Sequence, residues 1–263
     1  MRTRVFRVTT VVAALVVAGG LATVSFAGDA QEAPHAAKPK ARASQGKIAI
    51  VQAVPKLTLT VTVDGQQVQQ DVAEGTILGP LELSAGSHDV TFSDGSNDIS
   101  SSVDVTAGES SDVVVHRPAE VGGTPVVSVY PTPSDPIAPG KARVLLAHTA
   151  TTAPADVVVD GQTVFTNIAN GEFAQADVAA GAHQVSLLPA GVTGKPILGP
   201  LDVTLKAGTI TAVYAVGNPK DGSMNVIVRV TGGTESEGEP PSGIDTGSAG
   251  LVSGVHVWTF SGR

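Results

Sequence analysis

An internal repeat constrains this chain more than any other feature of its sequence. The stretch VTVDGQQVQQDVAEG, which starts at Val61, recurs 96 residues later as VVVDGQTVFTNIANG from Val157. The turn sequence SAGSHDV at Ser84 recurs as AAGAHQV at Ala179. Because such matches recur in the same order, the chain is predicted to use one fold twice, at residues 46–131 and 140–231. Residues 132–139, which contain three prolines, are predicted to form a stiff linker between the two copies.

Two details of the repeat bear on its register. GKIAIVQAVP from Gly46 aligns with GKARVLLAHT from Gly140, so each repeat begins at a Gly-Lys pair. ILGPLEL from Ile77 recurs as ILGPLDV from Ile197, out of register with the other matches. The alignment offers no explanation for this second similarity.

The local patterns of both repeats indicate β-strands. Residues 57–63 read LTLTVTV, with an apolar residue at every odd position, which is the period of a strand with one buried face. Asp64–Gly65 and Asp160–Gly161 each follow such a run, and Asp-Gly is the strongest short signal for a β-hairpin. About eight short strands are predicted in each repeat. The predicted fold class is therefore all-β, with two tandem antiparallel β-sandwich domains.

The first 27 residues have the pattern of a secretory signal peptide. Three arginines precede an apolar run at 11–24, and the small residues of Ser25–Phe26–Ala27 form a cleavage site. The alternative is an anchor that stays in the membrane, but the run is shorter than the roughly 20 residues that span a bilayer. We therefore expect a secreted or cell-surface protein. Residues 28–45, rich in Ala, Pro and Lys, are predicted to be a disordered linker.

Composition excludes several classes of function. The chain has no cysteine, so disulfide scaffolds and thiolate metal sites are excluded, and no cofactor is predicted. With 24 acidic and 16 basic residues it is not expected to bind nucleic acid, which needs clustered positive charge. The charge is uneven, since 46–131 carry 11 acidic and 3 basic residues and 140–231 carry 6 of each. An acidic first repeat suits either a cationic partner or simple solubility.

The search for reactive or metal-binding residues yields weak candidates. Asp94, Asn97 and Asp98, in the sequence SDGSND, offer oxygen ligands suited to calcium, although a plain hairpin turn explains them as well. His88 and His183 occupy matched positions after Ala-Gly turns, which favours a structural role. His148 would form a catalytic triad if Asp156 or Asp160 and a serine approached it in space.

The C-terminal residues 232–263 are predicted to form a flexible tail. Gly232 to Gly250 are rich in glycine, glutamate and proline, which is typical of disorder. Leu251 to Phe260 (LVSGVHVWTF) are apolar and contain the only tryptophan. This segment is either an edge strand added to a repeat or to a partner, or an unstructured end.

The second repeat resembles the bacterial domain of unknown function 4397. The resemblance rests on Arg143 and His148 in an R-V-x-x-x-H pattern, on the hairpin at Asp160–Gly161, and on Ala180–Gly181 with Val185, while Val178 replaces a leucine. The first repeat matches less well, because Gln52–Ala53–Val54 replace the region of His148. The resemblance implies a secreted bacterial β-domain of the cell envelope or extracellular space.

The sequence as a whole predicts a noncatalytic exported module, not an enzyme, which serves adhesion, scaffolding or ligand presentation. Its partner would be a cell-envelope component or another protein. Two other functions stay open. One is a secreted hydrolase with a site near His148, and the other is a calcium-dependent binding domain that uses the loop from Asp94 to Asp98.

Overall fold

The computed structural model of the chain describes residues 44–232 and the backbone of residues 256–258. These residues contain strands and no helix, so this part of the chain has no helix that is long and apolar enough to cross a membrane. The first repeat holds β1 (Gln45–Ala53), β2 (Thr58–Val63), β3 (Gln66–Ala73), β4 (Ile77–Ser84), β5 (Gly86–Ser93), β6 (Asp98–Val105), β7 (Ser110–His116) and β8 (Val126–Pro131). The second holds β9 (Lys141–His148), β10 (Ala155–Val159), β11 (Gln162–Ile168), β12 (Phe173–Ala179), β13 (Gly181–Pro189), β14 (Leu198–Leu205), β15 (Ile210–Val216) and β16 (Asn225–Thr231), and β17 (His256–Trp258) follows. The all-β fold class is confirmed, with eight strands in each repeat.

Predictions about the chain termini lie largely outside the described residues. The signal sequence at 1–27 and the linker up to residue 43 are not described, and Gln45 already belongs to β1. Of the tail at 232–263, only residue 232 and β17 are described. β17 pairs with β16 of the second repeat.

Each repeat folds as two stacked sheets. In the first sandwich the outer sheet has the order β3-β2-β5-β6 and the inner sheet the order β4-β1-β7-β8. In the second sandwich the outer sheet is β11-β10-β13-β14 and the inner sheet is β12-β9-β15-β16-β17. One expectation was wrong, because the sheets are not purely antiparallel: β1 pairs parallel with β7, and β9 with β15. A parallel pair needs a long crossover, and the strands between these partners provide it.

The Asp-Gly hairpins form as their sequence predicts. β2 and β3 pair up to Val63 opposite Gln66, with Asp64–Gly65 as the turn between them. Asp64 and Gly65 have φ values of 50° and 72°, and Asp160 and Gly161 have 51° and 78°. Two successive positive φ values define the turn that matches the twist of a hairpin, and Asp-Gly tolerates them best.

Backbone hydrogen bonds fix the register between the two repeats. The amide of Gly75 donates to the carbonyl of Gln52 at 2.8 Å, and the amide of Gly171 donates to the carbonyl of His148 at 2.8 Å. Gln52 is therefore the structural counterpart of His148, with the same shift of 96 that relates the hairpins. The alignment of Gly46 with Gly140 was wrong by two residues, because the amide of Gly108 donates to the carbonyl of Gln45 whereas that of Gly208 donates to the carbonyl of Lys141, a shift of 96.

The structure explains the similarity that lies out of register. ILGPL forms part of β4 in the first sandwich and of β14 in the second, and each of these strands lies at the edge of its sheet. Both contain a cis Gly-Pro peptide opposite a β-bulge in the neighbouring strand. A Cβ on Gly79 would lie 2.9 Å from the carbonyl oxygen of Ile48, and one on Gly199 would lie 2.7 Å from that of Val185. The sequence therefore encodes one edge-strand motif that the two repeats place in different strands, where proline needs no ladder partner on its open side.

The two inner sheets pack against each other, so the described residues form four stacked sheets. In β1, Ile48 and Ile50 face the outer sheet of their own sandwich, whereas Val51 and Ala53 face the other sandwich. Strands buried on both faces have nearly continuous apolar sequences, as IAIV in β1 shows. The shared core comprises Val51, Ala53, Val114 and Tyr130 of the first sandwich and Leu145, Ala147, Ala212, Tyr214, Val216 and Ile227 of the second.

Candidate functional site: an apolar cleft in the second sandwich

The matched histidines have the same structural role in both sandwiches. Nδ1 of His88 lies 2.7 Å from Oδ2 of Asp64, and its Nε2 lies 2.8 Å from the carbonyl oxygen of Ser84. His183 makes the equivalent contacts with Asp160 and with the carbonyl of Ala179, at 2.7 and 2.8 Å. Each ring thus joins the Asp-Gly turn to the next hairpin.

The contacts of these rings set their charge. Both ring nitrogens face acceptors, so the protonated ring donates two hydrogen bonds. The hydrogen bond to Asp64 raises the pKa of His88, and that to Asp160 raises the pKa of His183. The hydrogen bond from His88 lowers the pKa of Asp64 in turn. These two pairs are stabilising links between turns, with no ring nitrogen left for a substrate.

A buried polar group joins the two sandwiches. Asp112 of β7 is 3% exposed; it accepts a hydrogen bond from the hydroxyl of Tyr214, and Nη1 of Arg229 lies 2.8 Å from its Oδ1. Burial raises the pKa of Asp112, and Arg229 and Tyr214 act in the opposite direction. Tyr130 adds a hydrogen bond from its hydroxyl to the carbonyl of Gly171 at 3.2 Å. The interface therefore has directional contacts as well as an apolar core.

His148 lies buried near this interface, not in an accessible site. Its side chain is fully shielded from solvent, and neither ring nitrogen makes a hydrogen bond of good geometry. Burial lowers the pKa of His148, so the ring is neutral. The carboxylates proposed for a triad are engaged elsewhere: Asp156 accepts from the amides of Asn167 and Gly191, and Asp160 is bound to His183. The structure does not bring His148 together with either of them.

His116 is a second buried histidine that the sequence did not single out for a role. Its Nδ1–H donates to the carbonyl of Arg117 at 2.8 Å, and the hydroxyl of Ser128 lies 2.9 Å from its Nε2. Burial lowers the pKa of His116. The side chain of Asn170, from the second sandwich, also donates to the carbonyl of Arg117 at 3.0 Å. This histidine therefore belongs to the polar edge of the interface.

The candidate calcium loop is a closed hairpin turn. Oδ1 of Asp94 accepts hydrogen bonds from the amides of Ser96 and Asn97 at 2.8 and 2.7 Å. The side chain of Asn97 also donates to Asp94, at 3.2 Å, and Asp98 begins β6 opposite Ser93. The described residues contain no group of three or more His, Asp or Glu side chains that could hold a metal ion. Calcium binding by Asp94, Asn97 and Asp98 stays a prediction.

An apolar cleft lies between the two sheets of the second sandwich. It has a volume of about 80 Å³ and is partly open to solvent. Both sheets line it with valine and leucine side chains, among them Val144, Leu187, Val203 and Val228. Two of its lining residues are well exposed, Val164 of β11 at 39% and Val230 of β16 at 41%. The polar side chains that line it are His183, Asp202, Thr204 and Thr211.

Differences in side-chain size between the repeats explain the cleft. With the structural register, Ile48 corresponds to Val144, Leu59 to Ala155 and Phe92 to Leu187, so the second sandwich has the smaller residue at each position. Phe92 is fully buried and fills the first core. Two replacements go the other way, since Gln69 corresponds to Phe165 and Ser101 to Leu201, and these larger residues extend the apolar lining. Close packing leaves few such voids in protein cores, so the cleft is a feature of this repeat.

The cleft has few polar side chains. Among them, His183 is bound through both ring nitrogens, to Asp160 and to the carbonyl of Ala179. The apolar walls of the cleft favour contact with apolar groups over contact with water. Sequence analysis missed the cleft. The smaller residues are visible in the sequence, but the two-residue alignment error at Gly46 and Gly140 concealed the comparison of Ile48 with Val144.

Comparison with known proteins finds one similarity to a described family. Residues 46–155 match a family described as a domain of unknown function, DUF4397. The match covers all eight strands of the first sandwich, then β9, and ends at Ala155, the first residue of β10. The expectation that the second repeat is the clearer copy is not supported, since the match leaves that copy unconfirmed. No curated protein matches the chain. Over residues 46–155, the chain is therefore similar to DUF4397, a domain of unknown function.

Proposed function

We propose that this protein is a noncatalytic β-sandwich module, exported to the cell envelope or the extracellular space, that presents a ligand-binding cleft on a rigid support. Adhesion, scaffolding and ligand presentation are the tasks that such a module serves. The apolar cleft of the second sandwich is the observation that carries the proposal. It combines an almost wholly apolar lining with a histidine, His183, whose two ring nitrogens are both engaged by other groups of the protein.

The interface between the sandwiches supports the scaffolding part of the proposal. Asp112, Tyr214 and Arg229 join two inner sheets that also share an apolar core. A buried interface of this kind holds the cleft at a fixed position relative to the first sandwich. Relative motion is the default only where an interface between domains is small or polar.

The burial of His148 favours a binding module over a hydrolase. A general base must come within hydrogen-bond reach of its substrate, and the ring of His148 is shielded from solvent. Its neutral state and lack of a carboxylate partner also differ from a triad histidine, which an acidic residue orients.

A thermal-shift experiment tests ligand binding. The wild-type full chain and its Leu187→Phe variant are each heated with and without alkanoates of increasing chain length. The variant places a phenylalanine in the cleft, at the position equivalent to Phe92 of the first core. Binding to the folded state raises its stability by about 2.7 kcal/mol at a ligand concentration 100 times the Kd. We expect the melting temperature of the wild type to rise and that of the variant to stay constant. Equal shifts in both proteins, or none in either, would contradict the proposed cleft function.

Export is tested separately by mass spectrometry of the secreted protein. Cleavage after Ala27 predicts that the protein recovered from the medium or the cell surface begins at Gly28. A protein that retains residue 1 and stays inside the cell would contradict the export part of the proposal.

A further inference from the structure

The cleft opens along one side of the second sandwich, between the edges of its two sheets. In the first sandwich, β6 of the outer sheet packs against β8 of the inner sheet. The equivalent strands of the second sandwich, β14 and β16, make few contacts with each other. β16 contributes Val226, Val228 and Val230 to the lining of the cleft. A strand added beyond β16 therefore lies along the open side.

β17 is such a strand. It pairs antiparallel with β16, with Trp258 opposite Val226, Val257 opposite Ile227, and His256 opposite Val228. Val226 and Val228 belong to the core of the second sandwich, whereas Ile227 belongs to the core between the sandwiches. Residues paired across antiparallel strands share one face of the sheet. The register therefore assigns positions 256 and 258 to the face that bears the cleft.

The dimensions of the cleft fit an anchoring side chain. Pockets for whole small-molecule ligands measure about 300–1,000 Å³. The cleft measures about 80 Å³, which accommodates part of one large apolar group. The segment around β17 reads LVSGVHVWTF and contains the only tryptophan of the chain. It offers both a strand for the edge of β16 and an apolar anchor for the space beside it.

We propose that β17 (His256–Trp258) is the occupant of this open side: it extends the inner sheet at β16 and covers the apolar cleft, with Trp258 as its anchor. An external apolar ligand then reaches the cleft by displacing this segment. The displacement rests on the proposed function of the cleft as a ligand site, whereas the docking of the segment does not.

Tryptophan fluorescence of the full chain tests the docking, because Trp258 is the only source of tryptophan emission. Three variants are compared with the wild type by emission maximum and by acrylamide quenching. Val257→Pro disrupts strand pairing, since proline lacks the amide donor and fixes φ. Val230→Lys places a charge at the mouth of the cleft. Val129→Lys is the matched control, because Val129 lies at the equivalent edge of the first sandwich and, like Val230, is 41% exposed.

The proposal predicts blue-shifted, weakly quenched emission from the wild type and from Val129→Lys, independent of protein concentration. Val257→Pro and Val230→Lys are expected to shift the emission to the red and to increase quenching severalfold, while circular dichroism shows that both remain folded. Emission typical of a solvated tryptophan in the wild type would overturn the proposal. So would shielding that survives both variants, or shielding that appears only at high protein concentration.

Alkanoate titration of the same proteins separates the two proposals. Competition predicts a larger thermal shift for Val257→Pro than for the wild type. If tryptophan shielding behaves as expected but no variant responds to alkanoates, the docking stands and the ligand function fails. If alkanoates bind equally to all variants and the tryptophan is solvated, the ligand function stands and the docking fails.

Discussion

Tyr214 of the second sandwich donates a buried hydrogen bond to Asp112 of the first, 102 residues earlier in the chain. Tyr214 is fully buried, and Arg229 pairs with the same carboxylate. A buried charge without its partner is strongly unfavourable, so these three side chains stabilise one relative placement of the two sheets. Burying the charges of Asp112 and Arg229 is itself costly. Removing one of the two residues and removing both should therefore change the stability by different amounts, which can be measured.

Removing the carboxylate alone should be severe. Asp112→Ala leaves the guanidinium of Arg229 buried without its partner, which typically costs about 3–5 kcal/mol. The double variant Asp112→Leu with Arg229→Met removes both charges and should lose much less stability, or gain some. Urea unfolding of the single variants Asp112→Leu and Arg229→Met and of the double variant measures the difference. Losses that simply add would show that the two residues do not interact.

The Asp–His pairs predict a loss of stability at alkaline pH. Because the folded-state pKa values of His88 and His183 are raised, their contribution is present below the unfolded value of about 6.5 and is lost as pH rises through the folded values. The double variant His88→Gln with His183→Gln should lack this part of the pH dependence. Unfolding free energies measured from about pH 6 to about pH 9 test it. Parallel pH profiles for the wild type and the variant would contradict the assignment.

His148 predicts the opposite pH dependence. Burial lowers its pKa, so its contribution is present above about pH 6.5 and is lost as pH falls towards the folded value. His148→Gln should be tolerated and should reduce acid sensitivity, because its counterpart Gln52 already bonds the amide of Val54 and the carbonyl of Leu57. Urea unfolding at about pH 7.5 and about pH 5 measures both effects. A variant as acid-sensitive as the wild type would refute this explanation.

Core exchange between the repeats tests the origin of the cleft. Leu187→Phe introduces the residue found at the equivalent position of the first core and should stabilise the protein by about 0.5–2 kcal/mol through cavity filling. The reciprocal variant Phe92→Leu creates a void in the first sandwich and should destabilise it by about 1 kcal/mol or more. Urea unfolding curves of both variants show whether each change raises or lowers the free energy of unfolding. Destabilisation by Leu187→Phe would mean that the second core has no room for the larger ring.

Local sequence patterns were enough to predict the strands, but not to predict which strands pair with one another. The alternation of LTLTVTV and the Asp-Gly turns correctly predict β2 and the hairpins that follow β2 and β10. The parallel pairing of β1 with β7 depends on a crossover through the other sheet, which no local period encodes.

The interface and the cleft were missed for the same reason. Asp112 and Arg229 each stand in a β-prone run, where a charged residue usually indicates a solvated face. Nothing in the sequence shows that a second sheet covers that face. The cleft depends on how the side chains of two sheets fill the space between them, which no alignment of the sequence shows, and the alignment error of two residues at the repeat starts concealed the comparison of Ile48 with Val144.

Titration of the full chain with an alkanoate, followed by methyl NMR, tests whether the cleft of the second sandwich binds apolar ligands. The two sandwiches serve as matched sites in one molecule, because Val144 and Val203 in the cleft correspond to Ile48 and Val103 in the filled core. We expect saturable chemical-shift changes of the methyl signals of Val144, Leu187 and Val203. The methyl signals of Ile48 and Val103 should stay unchanged. Equal shifts in both sandwiches, or shifts confined to the first, would contradict the claim that the second sandwich holds a specific apolar ligand site.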